Sequence, residues 1–231
     1  MPAGFEKIDN LILLENGIDH IRIELSKTVP LFIRIGKEAH LILYRSMVEA
    51  LRGSANLSIT GRPKDKKHVV KYKIGERSWQ QIEKTKVGGC ENAWRYSNPT
   101  QTLKPDDDRK PFDISDALNY LQGFYDLLAK IQAECFMSRY VGSKPIEVSD
   151  DEMRVLEWLH ENIRNEFEHF IPKLYYVGIS ELISASLVCL RLSFKLLFES
   201  RSIVFHSDSG ILRSALEENT CLLKQRQSDY A

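Results

Sequence analysis

The chain has 231 residues, 43% hydrophobic and 28% charged, which is ordinary for a soluble globular protein with one large domain. Its 32 basic and 32 acidic residues give a formal net charge of zero, so overall charge does not attract nucleic acid or acidic membrane and any such binding needs a local patch. The N-terminus lacks signal-peptide features, and the longest nearly apolar stretch, at 182–190, is far below the roughly 20 residues that span a bilayer. We expect a cytoplasmic protein without a membrane segment.

The first segment, 1–59, is predicted to contribute two helices. Apolar residues recur at nearly helical spacing through 5–26, and Pro30 then breaks the chain. A second helix is predicted over 32–53, where Gly53 suits a helix C-terminus. Its apolar stripe consists of Ile35, Ala39, Ile42, Leu43, Met47, Ala50 and Leu51.

Residues 60–113 have a different composition. Val70, Tyr72 and Ile74 alternate with lysines, a pattern that favours a strand. Paired glycines at 88–89, prolines at 99, 105 and 111, and an acidic run at 106–108 are typical of a long polar loop. We interpret this segment as an insertion, a short β-hairpin with a long loop, in an otherwise helical body.

The helical pattern resumes over 114–200, the predicted core. One continuous apolar face runs through 113–140, and Ser149 with Glu152 matches the capping box that opens a helix. The buried side of that helix is predicted to be Val155, Leu156, Leu159, Ile163, Phe167 and Phe170. Pro172 ends it, a last long helix follows, and 201–231 is a tail with a short amphipathic helix. The predicted fold class is mainly α, an antiparallel helical bundle.

The cysteines argue against a metal site. Zinc sites usually need closely paired ligands, and the four cysteines include no CxxC pair. They are Cys90, Cys135, Cys189 and Cys221. We expect reduced thiols, no metal and no cofactor.

The candidate catalytic residues lie in ENIRNEFEHFIPK, residues 161–173. Arg164, Asn165 and His169 fall off the predicted core face of the helix. On a straight α-helix, residues five apart point roughly 140° apart and are about 7.5 Å apart along the axis. Arg164 and His169 therefore need a bent arginine side chain or a second copy of the helix end to converge on one ligand. Spacing alone is weak support, because Arg34 and His40 are similarly spaced.

The motif and its position resemble the HEPN superfamily (higher eukaryotes and prokaryotes nucleotide-binding domains). The superfamily signature is Arg-x(4–6)-His with a polar residue, often Asn, after the arginine. Here that is Arg164, Asn165 and His169, and the resemblance covers 114–200. In some HEPN toxins the motif continues His-x-Tyr, whereas Phe170 and Ile171 follow here, so a mechanism that uses that tyrosine does not carry over.

The resemblance implies a metal-independent endoribonuclease of the toxin or antiviral-defence kind. It also implies a homodimer whose composite site lies where two motifs meet, RNA as substrate, and an antitoxin or defence protein as partner. Arg164 would bind the phosphate, Asn165 would orient either the phosphate or the histidine, and His169 would act as acid and base. The chemistry is consistent, because a histidine with a pKa near ~6.5 removes a proton from a ribose 2′-hydroxyl at neutral pH.

A second candidate surface is the basic part of the insertion, 60–86. It holds nine basic residues against three acidic ones, with Tyr72 and Trp79 interspersed. Such a patch binds phosphates and stacks unpaired bases. The RNA-binding residues would be Lys66, Lys67, Lys71, Lys73 and Arg77. The alternative, a solvated lysine-rich loop, is the more usual behaviour of such segments.

Two other functions stay open on the sequence. In the first, the bundle is a non-catalytic module that binds RNA, a nucleotide or a partner protein through Arg164 and His169. In the second, the bundle is purely structural and both residues tolerate alanine. His160, one turn before Arg164, either lines the same surface as Arg164 or is an ordinary helix-surface histidine, which is the more usual case.

Overall fold

The protein is described from a computed structural model, which covers residues 9–52, 80–81, 96–97, 123–138, 140–165, 176–205 and 208–230. By its internal contacts the chain divides into two compact units, Met1–Ala50 with Ile131–Ala231, and Leu51–Lys130. The predicted boundaries of the insertion, at 60 and 113, lie outside the described residues.

The described residues are mainly helical. In chain order the helices are α1 (Asn10–Leu25), α2 (Phe32–Leu51), α3 (Phe124–Lys130), α4 (Glu134–Met137), α5 (Asp150–Trp158), α6 (Ile179–Phe194) and α7 (Gly210–Gln227). Two of them continue without a break as π-helix, α5 through Leu159–Asn165 and α6 through Lys195–Glu199. The mainly α fold class predicted from the sequence is confirmed.

Two short strands lie within the predicted insertion. Strand β1 (Gln80–Gln81) pairs antiparallel with β2 (Tyr96–Ser97). Two residues on each side do not establish the predicted hairpin, whose alternating residues around Tyr72 lie outside the described part of the chain.

Helices α1 and α2 form an antiparallel pair. At one end the Asn10 side-chain amide donates to the Glu49 carboxylate at 2.8 Å, and at the other Glu24 accepts the backbone N–H of Leu31 at 2.9 Å. Between them Gly17 allows a close approach, because a Cβ there would lie 3.1 Å from Ile42. All seven residues of the stripe predicted on α2 are buried, so this prediction is confirmed. Those residues are Ile35, Ala39, Ile42, Leu43, Met47, Ala50 and Leu51.

Helices α5, α6 and α7 complete the bundle of this unit. Arg191 on α6 forms an ion pair with Glu152 at the start of α5, so these two helices run antiparallel. On α7, Asn219 is buried and donates to the Ile18 carbonyl of α1 at 2.8 Å. The C-terminal segment is part of the core, because Leu212, Leu216 and Leu223 are buried. Helix α7 is also longer than the short tail helix predicted from the sequence.

The apolar face predicted through 113–140 does not lie on one continuous helix, because the described residues form two helices, Phe124–Lys130 and Glu134–Met137. The chain leaves the helix at Ile131–Ala133, where Ala133 is extended (φ −101°, ψ 126°). The Ile131 carbonyl instead accepts the backbone N–H of Ile146 at 3.0 Å. A tertiary hydrogen bond thus replaces the next turn of helix, which the apolar periodicity does not reveal.

The capping box at the start of α5 is confirmed. The Ser149 hydroxyl accepts from the Glu152 N–H at 3.2 Å, and the Glu152 carboxylate accepts from the Ser149 N–H at 2.8 Å. Both bonds satisfy donors that the first turn of a helix otherwise leaves without partners.

Ser149→Ala is expected to lower the free energy of unfolding by about 1 kcal/mol, because the alanine has no acceptor for the Glu152 N–H. Urea unfolding followed by circular dichroism measures the change. Ser214→Ala, at an exposed position inside α7, is the control and should change stability little or raise it slightly. Equal effects at both positions would contradict a capping role for Ser149.

Candidate functional site

Two histidines from distant parts of the chain meet where α2 packs against the π-helical continuation of α5. His40 Nε2 lies 3.0 Å from His160 Nδ1, which is hydrogen-bond distance. The two ring centroids are 5.1 Å apart and the ring planes are inclined by 32°. The pair joins residues separated by 120 positions in the sequence, so only the tertiary fold brings it together.

Local helix register explains how each histidine reaches this contact. His40 follows Gly36 by one turn and precedes the buried Leu43, so it lies on the inner face of α2 and is only 3% exposed. His160 falls between the buried Leu156 and Ile163 and is itself half-buried. Because Gly36 has no side chain, Leu159 lies close to the α2 backbone, and the two helices pack closely at this point.

Arg164 and Tyr44 belong to the same cluster. Burial and, to a smaller extent, the positive charges of His160 and Arg164 together lower the pKa of His40 to about 3. Burial raises the pKa of Tyr44, an effect that Arg164 partly opposes. At neutral pH His40 is therefore uncharged and Tyr44 is protonated. The half-buried Arg164 acts electrostatically on His40 and Tyr44 of α2. It therefore does not lie on a fully solvated face of its helix.

The π-helical geometry changes the expectation for this helix. The straight α-helix assumed from the sequence is wrong over Leu159–Asn165, where the backbone forms π-helix with i→i+5 hydrogen bonding. Single π-helical turns inside α-helices are frequent at functional sites. Here the segment carries both His160 and Arg164.

The predicted catalytic residues are described only in part. Arg164 lies in the cluster, and Asn165 is the last residue of the π-helical segment. His169 lies outside the described residues. The predicted RNA-binding residues, Lys66, Lys67, Lys71, Lys73 and Arg77, lie outside them as well.

Comparison with known proteins adds no relative. No protein-family model, no curated protein and no solved structure matches the chain. The geometry of the cluster is therefore the observation from which a function is argued.

Sequence reasoning missed His40 and undervalued His160. The sequence offers His40 only as a chance match to the Arg-to-His spacing, and it favours an ordinary surface position for His160 over one beside Arg164. The signal was nevertheless present, because each occupies a position in register with buried neighbours: Leu43 and Met47 after His40, Leu156 and Ile163 around His160.

The cluster combines groups that bind anions with groups that exchange protons. A guanidinium binds phosphate oxygens in a planar, bidentate manner, and an imidazole exchanges protons near neutral pH. Within the described ranges there is no group of three or more His, Cys, Asp or Glu side chains that could hold a metal ion. In the same part of the chain, no helix has the length and apolar character needed to cross a membrane.

Proposed function

We propose that this protein is a metal-independent endoribonuclease of the HEPN kind. Substitution of Arg164 is the most direct test of this proposal. The observation that supports the proposal is the placement of Arg164 one turn after His160, in a cluster with the buried His40 and with Tyr44. A positively charged side chain beside histidines, half-buried on a π-helical segment, suits phosphate binding next to proton transfer better than it suits a solvated helix face.

The proposed reaction is cleavage of RNA by its own 2′-hydroxyl. A histidine takes the proton of the 2′-hydroxyl, and the 2′-oxygen attacks the adjacent phosphorus as the bond to the 5′-oxygen breaks. The products are a 2′,3′-cyclic phosphate and a 5′-hydroxyl. Arg164 stabilises the negative charge that develops on the phosphoryl oxygens, Asn165 orients the phosphate, and His169 acts as acid and base.

The proposed assembly is a homodimer, with each composite site formed from two copies of the motif. This arrangement removes the need for one helix to bring Arg164 and His169 together. The basic residues of the insertion, among them Lys66 and Lys71, are proposed to hold the RNA backbone. The proposed cellular role is that of a toxin or defence nuclease in the cytoplasm that a partner protein inhibits.

Arg164→Ala is expected to reduce cleavage of RNA in EDTA by about 100-fold, because the transition-state charge loses its main donor. The assay follows a mixed-sequence single-stranded RNA pool and total cellular RNA and identifies cyclic-phosphate ends. His169→Ala is expected to lose activity to a similar or greater extent. Light scattering on the same samples reports whether the chain is a dimer.

Arg154→Ala is the matched control, since Arg154 lies on the same helix, is exposed, and pairs only locally with Asp151 among the contacts described. It should cleave like the wild type. Full activity in both Arg164→Ala and His169→Ala would refute the assignment of these residues. A folded, dimeric wild type that cleaves neither substrate would refute the nuclease proposal.

One observation favours the alternative, a non-catalytic module that binds RNA, a nucleotide or a partner protein. Because burial keeps His40 uncharged down to a pKa of about 3, this residue exchanges no proton at neutral pH. A cluster in which Arg164 only binds a phosphate would have the same arrangement. Binding of RNA without cleavage, weakened by Arg164→Ala and unaffected by Arg154→Ala, is the outcome that this alternative predicts.

A further inference from the structure

We infer that His160 is a proton-exchanging residue of the proposed nuclease site and that His40 is the buried residue that positions it. The inference rests on the proposed function, and it adds a base that the Arg-to-His motif does not contain. It is carried by the contact between His40 Nε2 and His160 Nδ1 at 3.0 Å and by the different burial of the two rings.

The two rings have unequal access to protons. His40 is 3% exposed, whereas His160 is half-buried and lies on the segment that also carries Arg164. Burial is the largest cause of the lowered pKa of His40, and a positive charge on His160 lowers it further. A proton that enters this pair therefore belongs on His160, and His40 remains a neutral hydrogen-bond partner.

The hydrogen bond to His40 bears on which nitrogen of His160 exchanges the proton, because the tautomers of the two rings decide which of them donates. When His160 is protonated, its Nδ1–H donates to His40 Nε2, so His40 carries its own hydrogen on Nδ1. When His160 gives up a proton while this hydrogen bond persists, the proton leaves from Nε2. In other histidine sites too, the hydrogen bond at one ring nitrogen determines the role of the other nitrogen.

The reaction that follows is balanced without any further reactant. On this inference His160 and water take the base and acid roles that the motif alone gives to His169. His160 Nε2 takes the proton of the 2′-hydroxyl while the bond from the 2′-oxygen to phosphorus forms and the bond to the 5′-oxygen breaks. The departing 5′-oxygen takes a proton from a water molecule, and the His160 imidazolium returns its proton to the resulting hydroxide. Arg164 lies four residues after His160 on the same segment and would bind the phosphate.

The groove between α1 and α2 is a weaker candidate for a ligand site. A groove of about 450 Å³ lies between α1 and α2 and is lined by side chains of both charges, including Lys27, Arg34, Glu24 and Glu38. Glu24, its most buried carboxylate, already accepts from Lys27 Nζ at 2.6 Å and from the Leu31 N–H at 2.9 Å. The groove therefore presents a paired carboxylate, with no sign of what would fill it.

The first test is the tautomer of His160, measured by nitrogen and carbon NMR of the histidine side chains in the full chain without RNA. Wild type is expected to carry hydrogen on Nδ1 of His160. His40→Leu is expected to abolish this preference, because leucine offers no acceptor. His40→Gln is expected to keep it, because the glutamine carbonyl accepts from roughly the position of His40 Nε2. An unchanged tautomer in folded His40→Leu would overturn the positioning role.

The second test is the kinetics of RNA cleavage in EDTA. His160→Ala is expected to lower kcat at least 100-fold with little change in KM, the usual loss when a general base is removed. His40→Leu is expected to lower kcat about 10- to 100-fold, and His40→Gln should recover most of it. His20→Leu, which alters an exposed histidine on α1, is the control and should behave like the wild type.

The outcomes separate this inference from the proposed function. A wild type that cleaves RNA together with a fully active His160→Ala would overturn the role of His160 and leave the nuclease proposal standing. An inert wild type would overturn the nuclease and with it the catalytic role of His160. The expected result is a loss of kcat in both His160→Ala and His40→Leu, with most of the kcat retained in His40→Gln.

Discussion

Lowering the pH from 7.5 to 5 is expected to reduce the free energy of unfolding of the wild type by about 2 kcal/mol more than that of His40→Gln. The cause is the burial of His40, which lowers its pKa to about 3 in the folded chain. An unfolded histidine has a pKa near ~6.5. The folded state therefore favours the neutral ring, and acid favours the unfolded chain.

The direction follows from the protons that each state binds. Above pH ~6.5 His40 is neutral in both states, and its contribution to stability is fully present. Between ~6.5 and about 3 only the unfolded chain binds the proton, so stability falls by roughly 1.4 kcal/mol per pH unit. Over the whole window this amounts to about 5 kcal/mol, and no further loss occurs below the folded pKa.

Urea unfolding at four pH values between 7.5 and 5 measures this effect. His40→Gln keeps a hydrogen-bonding group at the position but removes the titration. The acid-sensitive carboxylates elsewhere, such as Glu24, are the same in both proteins and cancel in the difference. The groups that act on His40 from its surroundings, His160 and Arg164, are also unchanged. Parallel curves for the two proteins would show that His40 is not buried as described.

Leu159→Ala is expected to lower the free energy of unfolding by about 2–5 kcal/mol. Leu159 is 0% exposed, begins the π-helical segment, and packs against the α2 backbone at Gly36. Its truncation loses buried apolar surface and leaves a cavity between the two helices that carry the histidine pair. Gly36, which faces Leu159, has no side chain that could move into this cavity.

Leu13→Ala on α1 is the matched control, because the same change is made at a side chain that is 36% exposed. It is expected to lower stability by less than about 1 kcal/mol. Chemical unfolding at pH 7.5 compares the two variants with the wild type. Similar losses at both positions would mean that Leu159 is not packed against α2. A change in the His160 tautomer in Leu159→Ala would further show that this packing aligns the pair.

Local patterns in the sequence determined most helices but not all of their limits. The capping box at Ser149 and the stripe on α2 depend on residues within a few positions of each other, so they are readable without a structure. The break after Lys130 depends on a hydrogen bond between Ile131 and Ile146, which no local pattern contains. The same holds for α7, where apolar spacing indicated a short helix but only packing on α1 and α6 places Leu216 in the core.

For the candidate site, the sequence by itself singled out Arg164, because the motif that contains it lies within a single helix end. The partners of Arg164 came from the tertiary structure. His40 and His160 are each unremarkable in their own helices, and their meeting depends on how α2 packs against the π-helical segment. Burial then makes the two rings unequal, since a buried imidazole resists a charge that a more exposed one accepts. The sequence supplied the groups, and the packing of distant helices decided which of them act together.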